Sequence, residues 1–142
     1  MQPLGTVQHI NPVALSKNPA FTNVIAVSGT VKTVYVGGQN SVDASGAIVG
    51  KGDLRAQVEQ VLSNLQAALA AAGAELHHVV KWNIYVLQGQ DLRVGFEVFQ
   101  RVWGNRPNPP TITGVFVAGL ARPDLLLEMD AIAVVPDQGS AA

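Results

Sequence analysis

The chain has 142 residues, close to the commonest size of one domain, and a formal net charge of -1. Apolar residues make up 48% and charged residues 13%, too apolar for disorder and lean in charge for a monomer's surface. The absence of cysteine excludes disulfides, thiol nucleophiles and thiolate metal sites, and the lack of a basic stripe argues against nucleic-acid binding.

The N-terminal MQPLGTVQHI lacks the basic start and apolar run of a signal peptide. The most apolar helical stretch, Leu62 to Ala74, is interrupted by Ser63, Asn64 and Gln66, and is too short and polar to span a bilayer. The expectation is a soluble, cytoplasmic single domain over residues 1–142 with no membrane partner. Residues 1–20, rich in Pro and Asn, read as an extended arm with a short strand near Val7 to Ile10; residues 136–142 read as a flexible tail.

Phe21 to Val27 and Thr33 to Val36 are β-rich runs, and SGT at 28–30 predicts a hairpin between them. GGQNSVDASG follows as a loop. Asp53 caps a predicted helix whose apolar residues Leu54, Val58, Val61, Leu62, Leu65 and Leu69 form one stripe, with Gly73 as its stop. Val79 to Leu87 is a strand. A second helix starts near Asp91, carries Leu92, Phe96, Phe99 and Trp103 on one face, and stops at Gly104. Prolines 107, 109 and 110 forbid further helix, and strands Thr111 to Ala118 and Leu125 to Val135 close the chain. This order predicts an α+β sandwich with two helices on one face of a sheet.

The last two strands do not alternate apolar with polar as a half-solvated sheet does. Leu125, Leu127, Met129 and Ala131 point one way and Leu126, Ile132 and Val134 the other; Ile112 and Phe116 oppose Val115 and Val117. Two helices cover one face only, so the other is expected to be covered by copies of the chain in a closed homo-oligomer.

Few residues suggest chemistry. Strand alternation would send His77 and His78 to opposite faces, which excludes a shared metal, and His9 is isolated; no metal or cofactor is expected. VGGQN at 36–40 lacks the Lys-Ser/Thr ending of a phosphate loop and reads either as a bend or as backbone brought close to a ligand. The serines have no triad around them. Glu128 and Asp130 lie two apart on one face of an apolar strand. An unpaired buried charge is costly, so they are either paired with a cation or an edge neighbour, or one is a carboxylate at a pocket mouth, its pKa raised for acid/base work.

Four stretches in order, VYVGGQNSVDASGAIVG, DLRAQVEQVLSNLQAALAAAGAELHHVVKWNIYV, PPTITGVFVAGL and LLLEMDAIAVV, resemble the Rid family of RidA/YjgF-like reactive-intermediate deaminases over about residues 20–135. The resemblance implies a chorismate-mutase-like sandwich, a mixed sheet of about six strands under two helices. It also implies a trimeric barrel with a small-molecule pocket at each subunit interface. Deaminases of this kind hydrolyse enamines and imines to a keto acid and ammonia. Their carboxylate-clamping arginine corresponds to Ile112, a serine to Gly37, a pocket tyrosine to Phe21, a helix asparagine to Phe96 and a cysteine to Gly114; the last-strand glutamate is kept as Glu128. An aliphatic side chain cannot replace a guanidinium fork, so the pocket is expected to be more apolar and its substrate less anionic than a simple 2-imino acid. Arg106 and Arg122 flank the strand without standing at the right place on it. The resemblance leaves three roles: an imine hydrolase using Glu128, a non-catalytic metabolite binder, and, disfavoured by the charge, a ribonuclease or translation inhibitor.

Overall fold

The computed structural model describes residues 4–139, so the first three residues of the expected arm and the last three of the tail lie outside the described residues. Six strands and two long helices follow one another as β1 (Gly5–Ile10), β2 (Val24–Gly29), β3 (Val31–Gln39), α1 (Leu54–Ala71), β4 (Val79–Leu87), α2 (Leu92–Trp103), β5 (Thr111–Val117) and β6 (Leu127–Pro136). β3, β6, β4 and β5 form a mixed sheet in that order; β4 and β5 are parallel and the other pairs antiparallel. β1 and β2 form a separate antiparallel pair.

The hairpin expected between β2 and β3 does not form. β2 pairs with β1, Gly29 opposite Gly5, and β3 pairs with β6, Val31 opposite Pro136. Distant partners override the local turn signal. Thr30 donates its N–H to the Leu4 carbonyl and accepts from the Asp137 N–H, both at 3.0 Å, so the chain crosses between sheets instead of reversing. Gly29 makes this possible: its φ is +79°, and a Cβ there would stand 2.2 Å from the Leu4 oxygen. Asp137 also accepts from Leu4 and Gly5, which ties the start of the tail to the start of the arm.

α1 forms because its stripe matches the helical period and Asp53 accepts the Ala56 N–H at 3.1 Å. Val58, Val61, Leu62, Leu65 and Leu69 are all at most 1% exposed, each contributing about 1.5–3 kcal/mol of burial. They meet Val34, Val36, Trp82, Met129, Ala131 and Ala133 on one face of the sheet. Only the C-terminal half of the α2 stripe joins this core. Trp82 meets Phe99 edge-on at 5.1 Å and Phe99 stacks on Trp103 at 6.1 Å, while Leu92 and Phe96 stay 51% and 45% exposed. The opposite sheet face carries Tyr35, Asn83, Tyr85, Glu128, Asp130 and Ile132, with Tyr35 77% exposed. Among the described residues no helix is long and apolar enough to cross a membrane.

Candidate functional site

α1 and α2 pack over the β3–β6–β4 part of the sheet and leave the helix-side surface of β5 uncovered. The result is a groove of about 540 Å³ between the start of α2, the 18–21 loop and β5. Register places Ile112, Gly114 and Phe116 beside Trp82, Ile84 and Val86, on the face that looks toward the helices. Gly114 opens the groove, because a Cβ there would meet nothing within 4 Å. Phe21 is brought to the head of β5 by its neighbour Thr22. The Thr22 N–H donates to the Pro110 carbonyl at 3.0 Å, and its hydroxyl to the Pro109 carbonyl at 2.5 Å. Phe96 enters from α2.

Four of the six residues expected at the site, Phe21, Phe96, Ile112 and Gly114, therefore line one apolar groove. Its polar lining consists of Asn18 and Arg93. Asn18 Oδ1 is engaged by the Ala20 N–H at 2.8 Å. Arg93 grips Asp91 bidentately, Nε to Oδ1 at 3.1 Å and Nη2 to Oδ2 at 3.0 Å, and this pairing lowers the Asp91 carboxyl and raises the guanidinium from their ordinary values. Sequence reasoning passed over Arg93. The available signal was its place in the first turn of α2, three residues before Phe96. Neither Arg106 nor Arg122 lines this groove; Arg122 donates to the Gly46 carbonyl at 3.0 Å.

Glu128 and Gly37 stand elsewhere. Glu128 pairs in register with Tyr85, between Leu127 and Met129, so its side chain leaves the sheet on the face away from the helices. Within one chain, Ile112 and Glu128 thus lie on opposite faces and two strands apart. Asn40 Nδ2 donates to Glu128 Oε1 at 2.9 Å, and Asn40 is itself fixed through its carbonyl, which accepts from Asn64 Nδ2 at 3.0 Å. Gly37 and Gly38 occupy the register shift of β3 between Val36 and Gln39, and Gly38 lies under the Glu128 carboxylate. Asp130 accepts from Asn83 Nδ2 at 2.7 Å and the Tyr85 hydroxyl at 3.4 Å. The Asp130 charge, followed by burial, raises the Tyr85 hydroxyl above its ordinary value of 10.0. Among the described residues the partners of both carboxylates are amides and a phenol rather than the cation that a simple ion pair would supply.

The opposite-face expectation for His77 and His78 is corrected. Leu76–His78 is a short 3-10 turn, not strand, so alternation does not apply; the two rings lie 4.0 Å apart. Both border a second cleft together with His9. Among the described residues no group of three or more His, Asp or Glu side chains is placed to hold a metal ion.

Two helices with six strands in mixed sheets are the architecture of a Rid-type protein. The chain matches the family model described as Endoribonuclease L-PSP over residues 13–135, and it belongs to that family, within the Rid/YjgF superfamily. It is 35% identical to a RutC family protein of Pyrococcus abyssi over 100 residues, 70% of this chain and 76% of that one. It is 29% identical to the 2-iminobutanoate/2-iminopropanoate deaminase of Rattus norvegicus over 123 residues, 86% of this chain and 88% of that one. The solved structure of YyfB, a Rid family protein of unknown function from Yersinia pestis, matches with a TM-score of 0.77 at 30% identity, over 91% of this chain and 98% of that one.

Proposed function

We propose that this protein takes up a small, largely apolar imine or enamine at the groove and hydrolyses its C=N bond, working as a homotrimer. The observation that carries this reading is the groove itself. Four positions equivalent by resemblance to the deaminase pocket converge on it, and they are Phe21, Phe96, Ile112 and Gly114. Its walls favour an apolar body, and no guanidinium stands at Ile112 to select a simple 2-imino acid.

The acid is supplied from outside the chain. Glu128 of the partner subunit would be carried to the groove when copies pack their uncovered sheet faces together. The uncovered sheet face also supports the trimer, since Tyr35 on it is 77% exposed in the single chain. The chemistry is addition of water to the imine carbon. The carboxylate orients the water and accepts its proton, the carbinolamine forms, and the proton passes to nitrogen as ammonia leaves and the C=O bond closes. The net change is R₂C=NH plus water to R₂C=O plus ammonia.

A second reading, a non-catalytic binder, is favoured by one observation: among the described residues no carboxylate, imidazole or hydroxyl side chain of the same chain lines the groove. One experiment separates them. Imines are generated in place by an amino-acid oxidase from alanine and from leucine or phenylalanine, and ammonia release is followed with and without this protein. Hydrolysis predicts acceleration for the bulkier imines and its loss in Glu128→Gln. No acceleration at stoichiometric protein, with ligand still bound, leaves the binder.

A further inference from the structure

We propose that the cleft where β1 meets the Leu76–His78 turn and the 106–108 loop is a binding site for an organic oxyanion, a phosphate or carboxylate borne on a ring or short apolar body. The cleft measures about 470 Å³ and shares no lining residue with the groove. All three histidines of the chain, His9, His77 and His78, border it, with Arg106 beside them. These come from three separate segments that only the fold brings together.

Its donors are oriented. His78 Nδ1 accepts the Glu75 N–H at 3.0 Å, which places the ring hydrogen of the neutral imidazole on Nε2 and makes that atom a donor. Arg106 is held through Nη1, which donates to the Val102 and Trp103 carbonyls at 2.9 and 2.8 Å, and through its own carbonyl, which accepts the Trp103 indole N–H at 2.8 Å. Its Nε and Nη2 have no partner among the described residues, leaving the fork that suits an oxyanion. Asn108 adds an amide from a backbone held at φ +58°.

Among the described residues no carboxylate lines the cleft. The two nearest in sequence are turned to other work: Glu75 accepts the His78 backbone N–H, and Asp137 Oδ1 accepts the Gly139 N–H at 2.8 Å. Lys32 adds positive charge that reaches His78, while its ammonium donates to the Ala72 carbonyl. Glu75 places a negative charge near His78 as well, but among the described residues the charged side chain that lines the cleft is the Arg106 guanidinium, and with the imidazole donors it favours a negative ligand. Apart from Gln138, the remaining walls, Val7, Val80, Pro107, Val134 and Pro136, are apolar and suit a ligand with a body rather than a bare ion.

The test uses the full chain and four probes: phenyl phosphate, benzoate, inorganic phosphate and benzamide. Imidazole nitrogen–proton spectra follow the three histidines during titration. The expected result is saturable movement of all three by phenyl phosphate or benzoate, weaker binding of inorganic phosphate, and none by benzamide. Preference for phenyl phosphate assigns a phosphate ligand, and preference for benzoate a carboxylate. Arg106→Gln weakens binding roughly tenfold or more. Because Arg106 also holds the last carbonyls of α2, His77→Asn, at an exposed position, carries the same test with a several-fold loss should Arg106→Gln not fold. Unmoved histidine signals at about 10 mM phenyl phosphate and benzoate, equal binding of benzamide, or unchanged affinity in the folded variants overturns the proposal.

Discussion

The carboxylate of Glu128 rests against the Cα of Gly38: a methyl group added to that glycine would stand 2.5 Å from Oε2 and 2.9 Å from Cδ. Only a residue without a side chain lets β3 pass this close to the acid. Gly38→Ala is therefore expected to push Glu128 off Asn40, costing about 0.5–1.5 kcal/mol for the lost hydrogen bond. Under the proposed mechanism it also lowers kcat/KM roughly a hundredfold, the usual scale for a displaced catalytic group. Gly37→Ala is the control for stability, because a Cβ there meets nothing within 4 Å. Thermal unfolding and the imine assay, run on both variants, measure the two effects.

Gly114 makes the reverse prediction. A side chain there has free space and an ordinary strand backbone, so Gly114→Val fits without strain and raises local β-propensity. The expected outcome is a stability unchanged or raised by less than about 1 kcal/mol, with affinity for an apolar groove ligand reduced roughly tenfold. Denaturant unfolding beside a ligand titration distinguishes a filled groove from a damaged fold. Equal ligand affinity in the variant would show that the groove is not where the ligand sits.

The helices and β4 were legible because their signals are local. Asp53 and Asp91 cap where their side chains can accept, and the Val58 to Leu69 stripe repeats at the helical period. The partner of β2 was not legible, since it depends on Leu4 and Asp137, more than a hundred residues apart in sequence but both bonded to Thr30. Phe21, Phe96, Ile112 and Gly114 were placed by resemblance, and their convergence follows from strand register and the stand-off of α2 from β5. The histidine cleft was hidden for a simple reason. Strand alternation does not hold at His77 and His78, where the backbone has not yet become strand, and His9 has no visible neighbour in sequence.

The uncovered sheet face yields a test of assembly. Tyr35 and Ile132 are register partners on that face, and Tyr35 is 77% exposed in the single chain. Burying such a pair in a seam stabilises the assembly, while a charge placed there without a partner destabilises it. Sedimentation velocity is expected to give the mass of three chains for the unaltered protein and of one for Ile132→Lys. The monomeric variant loses imine hydrolysis, since Glu128 of the partner subunit no longer reaches the groove. A variant that stays trimeric and active would show that this face is not the seam.

His78 sets the direction of a pH dependence. Burial, then the neighbouring His77 charge, lowers its pKa below the ordinary 6.5, and burial lowers His9 in the same sense. A folded-state pKa below the unfolded one means that the unfolded chain binds more protons as pH falls. Stability is therefore fully present above about pH 6.5 and is lost as the pH falls through the folded-state values. The geometry agrees, because His78 Nδ1 must be unprotonated to accept the Glu75 N–H. Asp43 and Asp91, lowered from 3.8, contribute their own loss only at more acid pH, so imidazoles dominate the first part of the decline. Thermal unfolding between about pH 7.5 and about pH 5.5 is expected to show a falling midpoint. In His78→Asn, whose side-chain oxygen can still accept from Glu75, the fall is shallower, and His9→Asn in addition flattens it further. A midpoint that rises toward acid, or a double variant with the original slope, would remove these two imidazoles as the cause.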